Sequence, residues 1–186
     1  MKGFDRAEPR FSLCGLQCAL CPMHLDGYCP GCGGGAGNQS CAIARCSLEQ
    51  GGPEFCCDCP RYPCSRYDGF DEYDSFVPHQ SRRRDLERLP EQGLDTLLTE
   101  MQAKTVLLDR LMAGYNDGRH KTLFRTAVYL LPLPELEAAL RGLESRPGLA
   151  GLPPRERARA AEALLREAAD RQGLKLGLRK APKKNS

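Results

Sequence analysis

The sequence predicts a small irregular cysteine-rich module followed by an all-α helical bundle. All eleven cysteines of the 186-residue chain lie between Cys14 and Cys64, and hydrophobic residues recur at helical spacing from Ser81 onward. A hydrophobic content of 41% with 27% charged residues is typical of a globular chain and not of a disordered one. Because tryptophan is absent and aromatic residues make up only 6%, we expect an aliphatic core.

The first twelve residues carry charges throughout and lack the apolar stretch of a signal peptide. The longest apolar run, residues 127–131, is far shorter than the roughly 20 residues of a membrane span. We therefore expect a cytoplasmic protein without a membrane partner. Thiols stay reduced in the cytoplasm, so clustered cysteines there indicate a metal site more often than disulfides. The odd number of cysteines also fits a closed disulfide framework poorly, although a disulfide scaffold remains the alternative.

Three Cys-x2-Cys pairs lie at 18/21, 29/32 and 56/59. Two intervening residues allow a tight turn to direct both thiolates at one tetrahedral ion, and the surrounding glycines and prolines permit such turns. Since this segment has few large apolar residues, we expect bound metal to supply on the order of 10 kcal/mol of its folding free energy per site. The predicted fold is thus a metal-stabilised module. Its expected metal ligands are Cys14, Cys18, Cys21, Cys29, Cys32, Cys41, Cys46, Cys56, Cys59 and Cys64.

The spacing leaves the metal open. Four ligands per ion turn eight cysteines into two zinc sites, and Zn²⁺ is the expected cofactor. Soft thiolates also suit an iron–sulfur cluster, and the Cys-Pro steps at 21/22, 29/30 and 59/60 resemble ferredoxin loops. Cys57 interrupts the Cys-x2-Cys pattern and is the expected free thiol, or a substitute for a neighbouring ligand. His24 could be a ligand, but a surface histidine is the simpler interpretation.

The combined pattern resembles a bacterial and archaeal family of cysteine-rich proteins known as domain of unknown function 3795. The resemblance covers about residues 11–67 and consists of Cys14-Gly15-Leu16-x-Cys18-x2-Cys21, Cys29-Pro30-Gly31-Cys32, Cys41-x4-Cys46 and Cys56-x2-Cys59-Pro60-x-Tyr62-Pro63-Cys64. The segment from Tyr115 to Lys121 is similar to the helical extension of longer members. The resemblance implies a metal module, with zinc as the expected ion, and implies neither a substrate nor a reaction. Cys57 lies outside the pattern.

The rest of the chain divides into an acidic linker at 68–80, a helical bundle at 81–173 and a basic, partly disordered tail at 174–186. Hydrophobic stripes predict four helices, within about 94–115, 123–131, 134–143 and 153–173, with Gly173 as a C-terminal cap. Residues 174–179 could add a short strand. Together, the predicted helices are sufficient for a compact bundle.

Residues 80–186 carry 21 basic and 14 acidic side chains. Arg119, Lys121 and Arg125 lie at the predicted start of a helix, where cations oppose the helix dipole, so a phosphate or nucleic-acid ligand would be favourable there. A solvated surface is the simpler interpretation, and a protein is the more expected partner. No catalytic motif is present, so we expect a binding or regulatory role rather than catalysis. Electron transfer or service to a redox enzyme through an iron–sulfur cluster, and metal storage or delivery, remain alternatives.

Overall fold

The structure is a computed structural model that describes residues 2–35 and 41–182. Seven α-helices and four short 3-10 turns, but no β-strand, occur within these ranges, which confirms the helical character predicted for the second half of the chain. No helix in the described ranges is long and apolar enough to cross a membrane. The helices are α1 (Pro22–Leu25), α2 (Ala42–Glu49), α3 (Arg82–Gln92), α4 (Leu94–Tyr115), α5 (Lys121–Leu130), α6 (Leu133–Glu144) and α7 (Pro154–Arg171).

The chain divides into two compact units. Unit 1 comprises Met1–Thr99 together with Leu178–Ser186, and unit 2 comprises Glu100–Gly177. The division therefore falls inside α4, whereas the sequence predicted that the cysteine-rich module ends at residue 67 and the bundle begins at 81. Helix α3 belongs to unit 1 and accounts for much of this difference.

Helix α3 carries a buried face that is half charged. The residues Arg82, Asp85, Leu86 and Leu89 follow one another at helical spacing, and all four are buried. Asp85 accepts a hydrogen bond of 2.6 Å from the amide of Gln17, beside the first cysteines. Because two of these four residues are charged, a search for apolar periodicity does not identify this face.

The segment predicted as an acidic linker is instead part of unit 1. Within it Val77 is buried, and Asp71 pairs with Arg82 at 2.6 Å. The carboxylate of Asp74 accepts hydrogen bonds from the backbone N–H of His79 at 2.7 Å and from Arg179 at 2.7 to 3.1 Å. The predicted tail therefore returns to unit 1. It forms no strand within the described residues 174–182, and residues 183–186 of the predicted disordered end lie outside the described ranges.

Unit 2 has the aliphatic core that the sequence predicts. Its helices α5, α6 and α7 and the greater part of α4 lie where the hydrophobic stripes placed them, and Leu111, Leu136 and Leu165 are completely buried. Gly173 follows α7 at a φ of 64°, a left-handed conformation that glycine adopts without strain. The predicted helices are therefore correct in number and place for this unit.

The core of unit 1 combines aliphatic side chains with four aromatic ones. Phe4, Phe11, Phe55 and Tyr67 are buried there, and the rings of Phe11 and Phe55 lie 5.7 Å apart. An aromatic side chain removes a large area from water, which suits a unit built mainly of turns and short helices. The low total content of aromatic residues did not predict this feature, because a total does not show where in the chain the aromatic residues are concentrated.

Candidate metal centre

Ten of the eleven cysteines line two cavities in unit 1. The larger, which we call the six-cysteine cavity, has a volume of about 210 Å³ and the smaller, the four-cysteine cavity, one of about 30 Å³. All eleven cysteines are free thiols, so the disulfide scaffold is not what this structure contains. The six-cysteine cavity is lined by Cys14, Cys18, Cys21, Cys29, Cys32 and Cys41, and the four-cysteine cavity by Cys46, Cys56, Cys59 and Cys64.

Two of the three Cys-x2-Cys pairs form the tight turns that their spacing predicts. The backbone N–H of Cys21 donates to the carbonyl of Cys18 at 3.0 Å, and that of Cys59 donates to the carbonyl of Cys56 at 3.1 Å. Each pair thereby presents two thiols to the same cavity.

The third pair, at 29/32, is held differently. The backbone N–H of Cys32 donates to the carbonyl of Pro9 at 2.9 Å, and Gly31 adopts a φ of 99°. A Cβ atom at Gly31 would lie 2.8 Å from the Pro9 carbonyl carbon, so only glycine permits this approach. The chain before the first cysteine therefore helps to position this pair.

Helix α2 distributes its two cysteines between the cavities. Cys41 is the N-cap of the helix and lines the six-cysteine cavity, whereas Cys46 lies on the helix and lines the four-cysteine cavity. The buried side chain of Ile43 lines both cavities. The short helix is therefore the element that separates two ligand sets which are continuous in sequence.

Hydrogen-bond donors approach the sulfur atoms of the six-cysteine cavity. The Ser12 hydroxyl lies 3.3 Å from the sulfur of Cys14. Burial raises the pKa of the Cys32 thiol, and hydrogen bonds from the Leu13 backbone and the Arg6 guanidinium oppose that rise. Burial likewise raises the pKa values of Cys14 and Cys18. These thiols are therefore protonated at neutral pH, and a bound cation is the natural means of holding them as thiolates.

The four-cysteine cavity has a similar environment. Burial raises the pKa of Cys56 to about 12, while a hydrogen bond from the Tyr67 hydroxyl opposes the rise. The guanidinium of Arg66 hydrogen-bonds to Cys46, an interaction that raises the pKa of the arginine. Such donors to sulfur are the outer contacts that orient metal-bound thiolates.

The described residues contain no group of three or more His, Cys, Asp or Glu side chains that could hold a metal ion in its present arrangement. The chemistry of the two donor sets nevertheless fits a soft metal, because both consist of thiols and neither contains a carboxylate. His24 lines the six-cysteine cavity, where its Nδ1 atom lies 2.9 Å from the carbonyl oxygen of Cys29. Metal binding would require the sulfur atoms to move to about 2.3 Å from the ion.

Cys57 lines neither of the two cavities. Its sulfur lies 3.9 Å from a carboxylate oxygen of Asp58. Burial raises the pKa of Cys57 to about 11, and the negative charge of Asp58 adds to the rise. This position, one residue from Cys56, makes Cys57 a matched comparison for its neighbour.

The basic segment before α5 has acidic partners within the chain. The carboxylate of Asp117 accepts hydrogen bonds from the backbone N–H groups of Arg119 and His120 and lies 2.7 Å from His120 Nδ1. Glu162 approaches the other ring nitrogen at 3.0 Å. From the sequence, a phosphate was expected to supply negative charge at this position. The carboxylate of Asp117 already supplies negative charge beside Arg119. A ligand that also involves Lys121 and Arg125 stays a prediction.

The sequence did not identify several polar residues around the thiols. No motif distinguishes these residues, which are Arg6, Gln17, Tyr67 and Arg82. Arg6 lies 26 residues before Cys32 and Tyr67 lies 11 residues after Cys56, so no local spacing indicates their hydrogen bonds to these cysteines. A search for helical spacing that admits charged residues would have identified the buried face of α3, and with it Arg82.

Comparison of the chain with family models, curated proteins and solved structures finds no match. The resemblance to the cysteine-rich family therefore stays a prediction, and function must be inferred from the two cavities.

Proposed function

We propose that unit 1 is a metal-binding module, with zinc as its metal and a binding or regulatory role for the protein in the cytoplasm. The observation that supports this most directly is the division of ten cysteines between two cavities lined by thiols. The thiols and the donors that approach their sulfur atoms add to that support, because burial keeps the thiols protonated until a cation binds, and the donors stabilise the thiolate form.

The four-cysteine cavity suits a single zinc ion. Four thiolates complete a tetrahedral coordination sphere and leave no position for water, which is the arrangement of a structural site rather than a catalytic one. The small volume, about 30 Å³, is also in keeping with one ion and not with a larger group.

The six-cysteine cavity offers more donors than one ion requires. Four of its thiolates could hold one zinc ion, which gives the two zinc ions per chain expected from the sequence. Alternatively, two tetrahedra that share an edge have six corners, so all six thiolates could hold two ions. The metal content of the purified protein distinguishes these arrangements.

An iron–sulfur cluster in the six-cysteine cavity is the second candidate. The cavity volume of about 210 Å³ favours it, because a cluster needs more space than one ion. Thiolates from Cys14, Cys18 and Cys21 with one later cysteine would hold such a cluster. The protein would then serve electron transfer or assist a redox enzyme.

The test is elemental analysis and a visible spectrum of the full chain, purified without oxygen. Two or three zinc ions per chain with no visible band would support the zinc proposal. Iron with acid-labile sulfide and a broad visible band would support the cluster. A chain that retains neither metal when purified from metal-supplemented medium would contradict both.

Two adjacent substitutions provide the matched control. Cys56→Ser removes a thiol of the four-cysteine cavity, and we expect it to lower the content by one metal per chain. Cys57→Ser removes the neighbouring thiol, which lines neither cavity, and we expect the metal content to be unchanged. Equal losses in the two variants would contradict the assignment of Cys56.

A further inference from the structure

Arg82 is a completely buried cation with incomplete partners. Its side chain is 0% exposed, and the guanidinium lies 3.4 Å from the centre of the Phe70 ring. One terminal nitrogen donates to Asp71 at 2.6 Å. The other two nitrogens, Nε and Nη1, find no hydrogen-bond partner among the described residues.

A buried charge in this state is unfavourable unless opposite charge lies nearby. Asp71 supplies one carboxylate, but that side chain is 32% exposed, so water screens part of its charge. The Phe70 ring contributes a cation–π contact, which is weaker than a second ion pair. The protein therefore has positive charge in its interior in excess of what these two partners compensate.

Two contacts connect Arg82 to the segment that carries the first cysteine of the six-cysteine cavity. The backbone carbonyl of Arg82 is in close approach to Gly15, where an added Cβ would clash with it and would lie 2.8 Å from the Cβ of Leu86. The Tyr67 hydroxyl donates to the carbonyl of Cys14 at 3.4 Å, and the same ring lies 5.6 Å from the Arg82 guanidinium.

We infer that Arg82 is a buried counter-ion of the metal–thiolate centre in the six-cysteine cavity, an inference that rests on the proposed function. One divalent ion with four thiolates carries a net charge of −2, and so do two divalent ions with six thiolates. Either arrangement places excess negative charge in the interior, next to excess positive charge. Each charge reduces the cost of burying the other.

The guanidinium of Arg82 contacts the carboxylate of Asp71 and the rings of Phe70 and Tyr67. Arg82 is therefore a positioning and charge-balancing residue, which does not itself touch the metal.

The test compares zinc release from Arg82→Met and Arg83→Met in the full chain. Both substitutions remove one positive charge from α3 and one guanidinium near the Tyr67 ring, at 5.6 Å for Arg82 and 5.9 Å for Arg83. Arg83 is exposed, however, so its charge is screened by water. Loss of one partner of a buried charge pair acts on the dissociation rate, so we expect Arg82→Met to accelerate transfer of zinc to a chelator at least about tenfold. Arg83→Met should release zinc at close to the wild-type rate.

The four-cysteine cavity serves as an internal control. Release is measured in a Cys59→Ser background, which leaves the six-cysteine cavity. It is also measured in a background with Cys18→Ser, Cys21→Ser and Cys29→Ser, which leaves that cavity only three thiols and so isolates the other. If Arg82 is a counter-ion of the six-cysteine cavity, Arg82→Met accelerates release mainly in the first background. Equal acceleration in both backgrounds would show a general loss of structure in unit 1 and would overturn the inference.

Arg82→Lys covers the case in which the methionine variant does not fold. Lysine keeps the charge but loses the planar fork and its stacking on Phe70. If Arg82→Lys releases zinc at a rate much nearer to that of the wild type than to that of Arg82→Met, the result supports the counter-ion. If it releases zinc as fast as Arg82→Met, or is as poorly soluble, the result overturns the inference. If the wild-type chain holds no metal, the proposed function fails together with the inference. If it holds metal and Arg82→Met releases it at the wild-type rate, only the inference fails.

Discussion

Unit 1 and unit 2 achieve stability by different means. Unit 2 buries aliphatic side chains between helices, and each of Leu111, Leu136 and Leu165 is completely buried. Unit 1 contains buried and half-buried thiols, the buried charged side chains of Arg82 and Asp85 and the amide of Gln17, alongside aliphatic and aromatic residues. The first kind of interior needs only the exclusion of water, whereas the second needs each polar group to find a partner.

The difference shows which of the two units requires a bound component, such as a metal ion, for its stability. Burial of an aliphatic side chain contributes on its own, at roughly 25 cal/mol per Å² of apolar surface. A buried protonated thiol contributes only as a small apolar group until it coordinates a metal, and a buried cation is unfavourable until it is balanced. The proposed metals would thus be part of the interior of unit 1, while unit 2 requires none.

Metal removal should separate the two units most strongly. We expect a chelator to withdraw on the order of 10 kcal/mol per structural site from unit 1 and nothing from unit 2. Hydrogen exchange of the full chain, followed by mass spectrometry, should then show faster exchange in peptides from residues 11–67 and unchanged exchange in those from residues 121–171. Uniform acceleration, or none, would contradict the proposed dependence on metal.

A cavity in the aliphatic core should affect unit 2 regardless of metal. Leu165→Ala removes a completely buried side chain, and we expect it to lower the free energy of unfolding by about 2–5 kcal/mol. Leu152→Ala removes a side chain that is 40% exposed and should change stability by less than about 1 kcal/mol. Denaturant unfolding with and without chelator measures both. A loss in Leu165→Ala that disappears on chelation would contradict an independent core.

The close approach of α3 to the first cysteines can be tested with two glycines of positive φ. Gly15→Ala combines a left-handed φ of 95° with the clash against Arg82 and Leu86, and we expect a loss of about 3 kcal/mol. Gly93→Ala has a φ of 81° but meets no atom within 4 Å, so we expect about 1 kcal/mol. Thermal unfolding of the two variants measures the difference. Equal losses would mean that backbone strain alone accounts for Gly15.

The smallest effect concerns the pH dependence of unit 2. Hydrogen bonds with Asp117 and Glu162 raise the pKa of His120 above its ordinary value of 6.5, despite partial burial. The protonated form is therefore favoured by folding, and its contribution is complete below pH 6.5 and lost as the pH rises through the raised pKa. We expect the melting temperature to fall slightly from pH 6 to pH 8, and less so in His120→Gln. The same slope in both proteins would assign the dependence to another group.

The sequence predicted the structure best where one type of residue recurs at a regular spacing. Aliphatic stripes located α4 to α7, and Cys-x2-Cys spacing predicted the turns at 18/21 and 56/59. Spacing could not assign Cys41 and Cys46 to different cavities, because that depends on the short helix between them.

The parts that the sequence missed are those in which charge is buried. Arg82 and Asp85 occupy core positions of α3, although charged residues are ordinarily assigned to the surface. Asp71 and Asp74 lay in a segment whose composition is that of a linker, and their partners are 11 and 105 residues away. Pairings over such distances follow from the fold and leave no local pattern.

The hydrogen bonds between Asp74 and Arg179 also impose an order on biosynthesis. In the direction of translation, all of unit 2 is made after Asp74 and before Arg179, so unit 2 is an insertion within unit 1. Domains generally fold as units while the chain emerges from the ribosome. The contact of Asp74 with Arg179 in unit 1 can therefore form only after an entire second folding unit has been synthesised.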